Sequence, residues 1–147
     1  MAKFTFRLQN FLNVKEQIES QKKNEYGQAL QRLEQERERK RVLELELGEM
    51  IGLFRQTLST RIDPNDIRRC NNRIERLKVW LVEQMERIKA AEQFAEQKRL
   101  ELVEAMKQRQ MIETVRERNF EEYRKEEQKA EQKAVDGIVS YRYAEGR

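Results

Sequence analysis

The most constraining feature of this chain is an uninterrupted repeat of apolar positions over residues 67–123. From Ile67, steps that alternate between three and four residues reach mostly apolar side chains, and the positions between them are mainly Glu, Gln, Lys and Arg. Such a repeat has a period of about 3.5 residues, which keeps one narrow stripe of a helix against a partner helix. The segment contains neither Pro nor Gly. It therefore predicts one long helix that needs a partner along its length.

A second apolar stripe occupies the N-terminal part of the chain. It resumes the same alternating steps at Tyr26 and keeps them as far as Phe54. Gly27 weakens the middle of this segment, because a glycine costs about 1 kcal/mol in a helix interior. The stripe before that weak point is predicted to follow Phe4, Leu8, Phe11, Lys15 and Ile18. Together these positions predict a first helix over about residues 6–58.

The two stripes are separated by a strong helix-start signal around the chain's single proline, Pro64. Asp63 is a favourable N-cap because its carboxylate accepts from the free N–H groups of the next turn. Pro64 then falls at the first helical position, where its missing N–H costs nothing. Ile62 and Ile67 have the spacing of a hydrophobic staple. A turn at residues 59–63 and a new helix from about residue 64 are therefore expected.

The predicted fold class is all-α, a long antiparallel two-helix coiled-coil hairpin that makes residues 1–147 a single domain. The short, capped connection favours this hairpin over an intermolecular coiled coil, which is the competing arrangement. The second helix is expected to end near residue 134, at Asp136 and Gly137, and to leave a tail over residues 135–147 that is either disordered or ordered by a partner. Seam positions of the predicted hairpin include Leu33, Leu43, Ile74, Leu81, Ile88, Leu102 and Ile112.

Composition argues against catalysis and against several classes of ligand. Charged residues make up 39% of the chain against 37% hydrophobic, as in helices with a thin apolar seam. There is no histidine, Cys70 is the single cysteine, and no glycine-rich phosphate loop occurs. We therefore expect no enzymatic activity, no metal and no cofactor.

The charge pattern and the hydropathy bear on partners and location. The net charge is +4, with Lys and Arg interleaved among Asp and Glu, whereas nucleic-acid arms carry a one-signed excess. No stretch has the apolar length that spans a bilayer, and the N-terminus lacks the features of a signal peptide. A cytoplasmic protein without a nucleic-acid ligand is the expectation.

Three segments resemble the FliJ family of flagellar export proteins, which belong to the bacterial type III secretion apparatus. They are FTFRLQ at residues 4–9, CNNRIERL at residues 70–77 and ERNFEEYRKEE at residues 117–127. Cys70 and Arg73 stand where the family often has aromatic residues. Length and hairpin layout agree over essentially the whole chain.

The resemblance implies a non-enzymatic function in flagellar protein export. Family members are similar to the central stalk of rotary ATPases, and the implied partners are the hexameric export ATPase, the cytoplasmic domain of the export-gate membrane protein, and export chaperones. The implied location is the cytoplasm at the flagellar base, with membrane association only through partners.

The resemblance also implies a gate-binding patch beside the turn. Trp80 lies next to the step from Leu77 to Leu81, so its ring is expected to be partly exposed and available as a binding hot spot. The alternative is that Trp80 folds over the seam and covers Leu77. Leu47, Met50 and Leu77 are on the stripe, and for them core packing is the favoured explanation. The complete patch is Leu47, Met50, Phe54, Arg73, Leu77, Trp80 and Gln84.

A second surface is expected near the N-terminus, where basic side chains could meet acidic walls of the ATPase ring. The alternative is an ordinary solvated helix face. The predicted residues are Lys3, Phe4, Arg7, Phe11 and Lys15.

Three other functions were weighed against the export stalk. A related stalk of a virulence secretion system differs only in the motif match. An RNA-binding coiled-coil arm predicts steeply salt-dependent RNA binding, which the interleaved charges disfavour. A plain scaffold predicts a concentration-dependent oligomer with no ATPase partner.

Overall fold

A computed structural model describes residues 3–60 and 63–146, and all regular structure within them is helical. Helix α1 spans Gln9–Ser59 and helix α2 spans Pro64–Glu145. The two long helices pack against each other, which confirms the predicted all-α helical hairpin. The chain divides into two compact units, Gln21–Leu102 on the one hand and Met1–Ser20 with Val103–Arg147 on the other.

The start of α2 has the cap geometry that its sequence indicates. Asp63 Oδ1 accepts a hydrogen bond from the backbone N–H of Asn65 at 3.0 Å, and the carbonyl oxygen of Asp63 accepts from the N–H of Ile67 at 3.2 Å. Pro64 is the first helical residue. These contacts satisfy N–H groups that have no partner within the helix. Ile62, the other half of the predicted staple, lies outside the described residues.

The unit Gln21–Leu102 has a continuous seam of small and branched apolar side chains. Leu77 is completely buried, and Leu33 and Ile74 are nearly so. Ala29 and Ala91 are also buried in the seam. The remaining predicted seam residues of this unit are half-buried, namely Leu43, Leu81, Ile88 and Leu102.

The unit Met1–Ser20 with Val103–Arg147 has a smaller apolar core. Leu12 is 3% exposed, and Ala105 from α2 is also buried. The ring of Phe4 packs against Phe120 at 5.2 Å between centroids, and against Tyr123 at 5.4 Å. Such aromatic contacts close the seam beside the N-terminus.

The predicted N-terminal stripe is wrong at Leu8 and Phe11, whereas its other positions, Phe4, Lys15 and Ile18, are half-buried. Phe11 is 47% exposed and Leu8 is 42% exposed, whereas the neighbouring Leu12 is buried. Buried and half-buried positions follow Leu12, Lys15, Glu19, Lys22 and Tyr26, which are the same alternating steps that lead on to Phe54. The physical reason is that polar side chains of this stretch are paired across the seam, so the heptad continues through them.

Both outer helix ends also differ from the prediction. Helix α1 begins at Gln9, because the chain makes a turn at Arg7 and Leu8, where the N–H of Gln9 donates to the carbonyl oxygen of Phe6 at 3.1 Å. Helix α2 continues to Glu145 rather than ending near Ala134. Gly137 is not a C-terminal cap, because no described glycine has a positive φ, and a lone interior glycine costs only about 1 kcal/mol.

Over its described residues, neither helix carries an apolar stretch of the length that a bilayer crossing needs.

Candidate functional site

The residues of the predicted gate patch lie in the unit Gln21–Leu102 and divide into buried and accessible groups. Leu77 is completely buried and Gln84 is 2% exposed, so both side chains serve the seam. Leu47, Met50 and Phe54 are half-buried on α1. A buried side chain cannot contact a partner while the helices are packed. The accessible part of the patch therefore centres on Trp80 and Arg73.

The exposed Trp80 and the half-buried Arg73 contact each other on α2. The guanidinium carbon of Arg73 lies 5.1 Å from the centroid of the Trp80 ring, within cation–π range. Arg73 also makes an ion pair with Glu46 of α1. Trp80 is 37% exposed. The ring is thus held in place by a charged neighbour while part of its surface stays open to solvent.

The residues predicted to contact the ATPase ring lie in the unit Met1–Ser20 with Val103–Arg147, and they differ from one another in burial. Lys3 and Arg7 are exposed, whereas Phe4 is half-buried in the aromatic cluster with Phe120 and Tyr123. Phe120 and Tyr123 were not predicted as part of this surface, although the 117–127 motif contains them.

Lys15 belongs partly to the seam. Its ammonium group donates to Gln108 Oε1 at 2.8 Å and lies 5.1 Å from the ring centroid of Phe11. Lys15 is therefore positioned by two neighbours, and the exposed Phe11 ring is the more accessible of the pair. The Tyr123 hydroxyl donates to Glu127 at 2.8 Å, and this hydrogen bond raises the pKa of Tyr123.

The last part of α2, residues 124–145, has no partner helix among the described residues. From residue 124 to residue 146 every side chain is exposed except that of Glu127, which is half-buried. Apolar side chains nevertheless recur there, at Val135, Ile138, Val139 and Tyr141, each more than half exposed. A spacing of three and four residues places these side chains toward one side of the helix. The sequence predicts this apolar character but places it in a tail outside the helix.

A charged cluster joins the helices within the unit Gln21–Leu102. Lys22 Nζ lies 3.3 Å from Glu25 and from Glu101, while Lys98 Nζ lies 3.5 Å from Glu25 and 3.3 Å from Glu101. Hydrogen bonds to Glu25 and Glu101 raise the pKa of Lys22. Hydrogen bonds from Lys98 and Lys22 lower the pKa of Glu101.

A second polar layer crosses the seam in the other unit. Arg109 donates to Glu113 at 2.7 Å and makes an ion pair with Glu19, which is buried at 6% exposure. These carboxylates, Glu113 first, raise the pKa of Arg109. A buried carboxylate needs such a partner, because desolvation disfavours an unpaired charge. The layer explains how Glu19 occupies a seam position.

The described residues contain no group of three or more His, Cys, Asp or Glu side chains that could hold a metal ion. Cys70 is a buried free thiol. Each described ion pair lies along a helix face or across the seam.

Comparison with known proteins gives one match. A family model described as the flagellar FliJ protein covers residues 4–147, essentially the whole chain. No curated protein and no solved structure matched.

Proposed function

This chain belongs to the flagellar FliJ protein family, which makes it a protein of flagellar type III export, and we propose that it acts there as a non-enzymatic stalk of the export ATPase. In this proposal the unpartnered end of α2 and the nearby N-terminal segment bind in the central pore of the ATPase hexamer. The protein would promote assembly or activity of the ring from the cytoplasmic side of the flagellar base.

The observation that carries this proposal is the exposed apolar side of residues 124–145. Residues 124–145, about 30 Å of helix, have no partner helix among the described residues, and such a helix is marginal in water because most helical stability in proteins comes from tertiary contacts. Val135, Ile138 and Val139 are each exposed by more than half. A hydrophobic sleeve inside a ring would bury these side chains and support the helix.

Residues near the N-terminus support the same interaction. Lys3 and Arg7 are exposed, and the Phe11 ring is open beside Lys15. Cationic side chains beside an exposed aromatic ring favour encounter with an acidic wall, followed by apolar contact. We therefore include Lys3, Arg7 and Phe11 in the proposed surface that contacts the ATPase ring. Phe4 supports this surface by packing against Phe120 and Tyr123.

Docking on the export gate is a second part of the proposal. The accessible side chains for it are Trp80 and Arg73, with Leu47, Met50 and Phe54 at the edges. Trp and Arg are the side chains most enriched in binding hot spots. Escort of export chaperones is inferred from the family alone, and we assign no residues to it.

The experiment that tests the stalk is ATP hydrolysis by the cognate export ATPase, measured at a concentration where the hexamer assembles poorly. The full chain is expected to stimulate hydrolysis, and a chain without residues 124–147 is expected to lose the stimulation. The replacement Val79→Ala, at an exposed position of the other unit, serves as the control and should stimulate normally. Absence of stimulation and of co-assembly at every ratio would contradict the proposal and leave a plain coiled-coil scaffold.

A further inference from the structure

A like-charged pair stands where the coiled coil would ordinarily place opposite charges. The face that carries the Arg73–Glu46 ion pair continues toward the middle of both helices. Seven residues further along each helix, Trp80 of α2 and Arg39 of α1 line one groove. One heptad further, Arg87 of α2 faces Arg32 of α1 across a shared groove. Flanking positions of a coiled coil usually pair opposite charges, and like charges there are destabilising.

Neither arginine forms an ion pair within the described part of the chain, although Glu36 lines the groove that they share. The ion pairs of that part include neighbours such as Arg37 with Glu92, but none involves Arg32 or Arg87. Both side chains are exposed. Like charges at positions that usually hold opposite charges break a local rule of the fold, and such departures are expected at functional sites.

The groove between the two arginines has an apolar floor and one aromatic wall. Ala29 comes from α1, while Ala90 and Ala91 come from α2. Phe94 lines the same groove and is 47% exposed. Small side chains at the floor leave room for an apolar side chain of another protein to rest against the Phe94 ring.

We propose that this groove binds an acidic amphipathic helix of a partner protein. A Glu or Asp of that helix lies between Arg32 and Arg87, where each guanidinium donates charge-assisted hydrogen bonds to the carboxylate. An apolar side chain of the same helix packs on Ala90 and Phe94. The groove thereby uses the helix-in-groove mode, with charge setting the orientation.

The carboxylates near the groove favour a helix with isolated acidic residues over a polyanion. Glu36 lines the same groove, and Glu83 lines the adjoining one with Trp80 and Arg39. Closely spaced phosphates of RNA or of a lipid surface would meet these carboxylates as well as the arginines. An amphipathic helix presents one carboxylate to the arginines and apolar atoms to the rest of the groove.

The test measures binding of a fluorescein-labelled synthetic helix, with Leu along one side and Glu flanking it, to the full chain. A matched peptide with Gln in place of Glu, a single-stranded RNA and phosphatidylglycerol vesicles are compared in the same buffer. We expect the acidic helix to bind best, and Arg87→Glu to weaken its binding at least about tenfold. Arg76→Glu, an exposed charge reversal outside the groove, should leave binding unchanged.

Two further measurements separate this site from a folding defect. Arg87→Glu places a carboxylate opposite Arg32, so its melting temperature should rise while binding falls. Ala90→Leu fills the groove without changing charge and should also weaken binding. Equal binding of the Glu and Gln peptides, equal losses in Arg76→Glu and Arg87→Glu, or preferential binding of the RNA or the vesicles would each overturn the proposal. ATPase stimulation should be unchanged in Arg87→Glu, so this result is independent of the stalk function.

Discussion

The Gln84 amide donates hydrogen bonds to the carbonyl oxygen of Glu36, at 2.9 Å, and to the Glu36 carboxylate across the seam. Gln84 is 2% exposed, so the contact lies inside the apolar seam. Leucine and alanine seams tolerate a shift by one heptad, but this polar pair is satisfied in only one alignment of the helices. A polar residue at a seam position specifies register at a cost in stability. The contact therefore fixes the register of the unit Gln21–Leu102.

Replacing Gln84 and Glu36 should show separately what this contact contributes to helix register and to stability. The double change Gln84→Leu and Glu36→Leu removes the desolvated polar groups and should raise the melting temperature. The single change Gln84→Leu leaves the Glu36 carboxylate without this hydrogen-bond donor and beside an apolar side chain, so it should lower the melting temperature. Spin-label distances between the helices should broaden in the double variant, because heptad-shifted alignments become accessible. A single sharp distance in that variant would show that other contacts set the register.

Leu77 should be the most sensitive apolar position of its unit. It is completely buried, and Leu77→Ala leaves a cavity that costs about 2–5 kcal/mol of unfolding free energy. Val79, two positions along the same helix, is 56% exposed and supplies the matched control. Val79→Ala should change stability by less than about 0.5 kcal/mol. Urea denaturation of the full chain measures both, and similar midpoints would contradict the assigned seam.

The Glu101 cluster predicts loss of stability in acid. Hydrogen bonds from Lys98 and Lys22 lower the pKa of Glu101 below its ordinary value of 4.5. A carboxylate with a lowered folded-state pKa contributes stability that is complete above pH 4.5 and disappears as pH falls through the folded-state value. Melting temperatures between pH 7 and pH 3 should therefore drop less in Glu101→Gln than in the natural chain. Parallel curves for the two proteins would exclude this contribution.

Trp80 should be a hot spot for docking on the export gate. Trp80→Ala is expected to weaken binding of the full chain to the cytoplasmic domain of the gate protein at least about tenfold. The loss should occur with little change in melting temperature, because Trp80 lies beside the seam. Val82→Ala, which removes an exposed side chain outside the patch, should bind normally. Titration calorimetry would measure both, and equal affinities would remove Trp80 from the interface.

Periodicity was sufficient for the pairing of the helices, but not for the register of the stripe next to the N-terminus. The seam from Tyr26 to Phe54 follows the alternating steps that the sequence indicates, including the polar positions Glu36 and Lys40. Near the N-terminus the apolar residues Leu8 and Phe11 were predicted to lie on the seam, where the structure places Leu12 and Glu19 instead. Lys15 and Glu19 are held at the seam by Gln108 and Arg109 on the other helix. Such cross-helix partners are not visible in one stripe alone.

Helix ends were predictable where capping chemistry was explicit. Asp63 and Pro64 correctly indicated Pro64 as the first residue of α2, because their side chains act on the adjacent backbone. Gly137 was misleading as a stop, since a glycine ends a helix only when the chain adopts the left-handed conformation there. The accessible part of the candidate gate surface, Trp80 with Arg73, needed the structure, because its ring contact depends on side-chain orientation.

Site-specific photocrosslinking tests the stalk proposal most directly. A benzoylphenylalanine residue replaces Ile138, which lies on the exposed apolar side of residues 124–145, and in a second variant it replaces Trp80. Each variant is irradiated with the cognate export ATPase during ATP hydrolysis. We expect crosslinks to residues of the ATPase pore from position 138 and none from position 80. Crosslinks from position 80 alone, or from neither position in a stimulated complex, would contradict the stalk proposal.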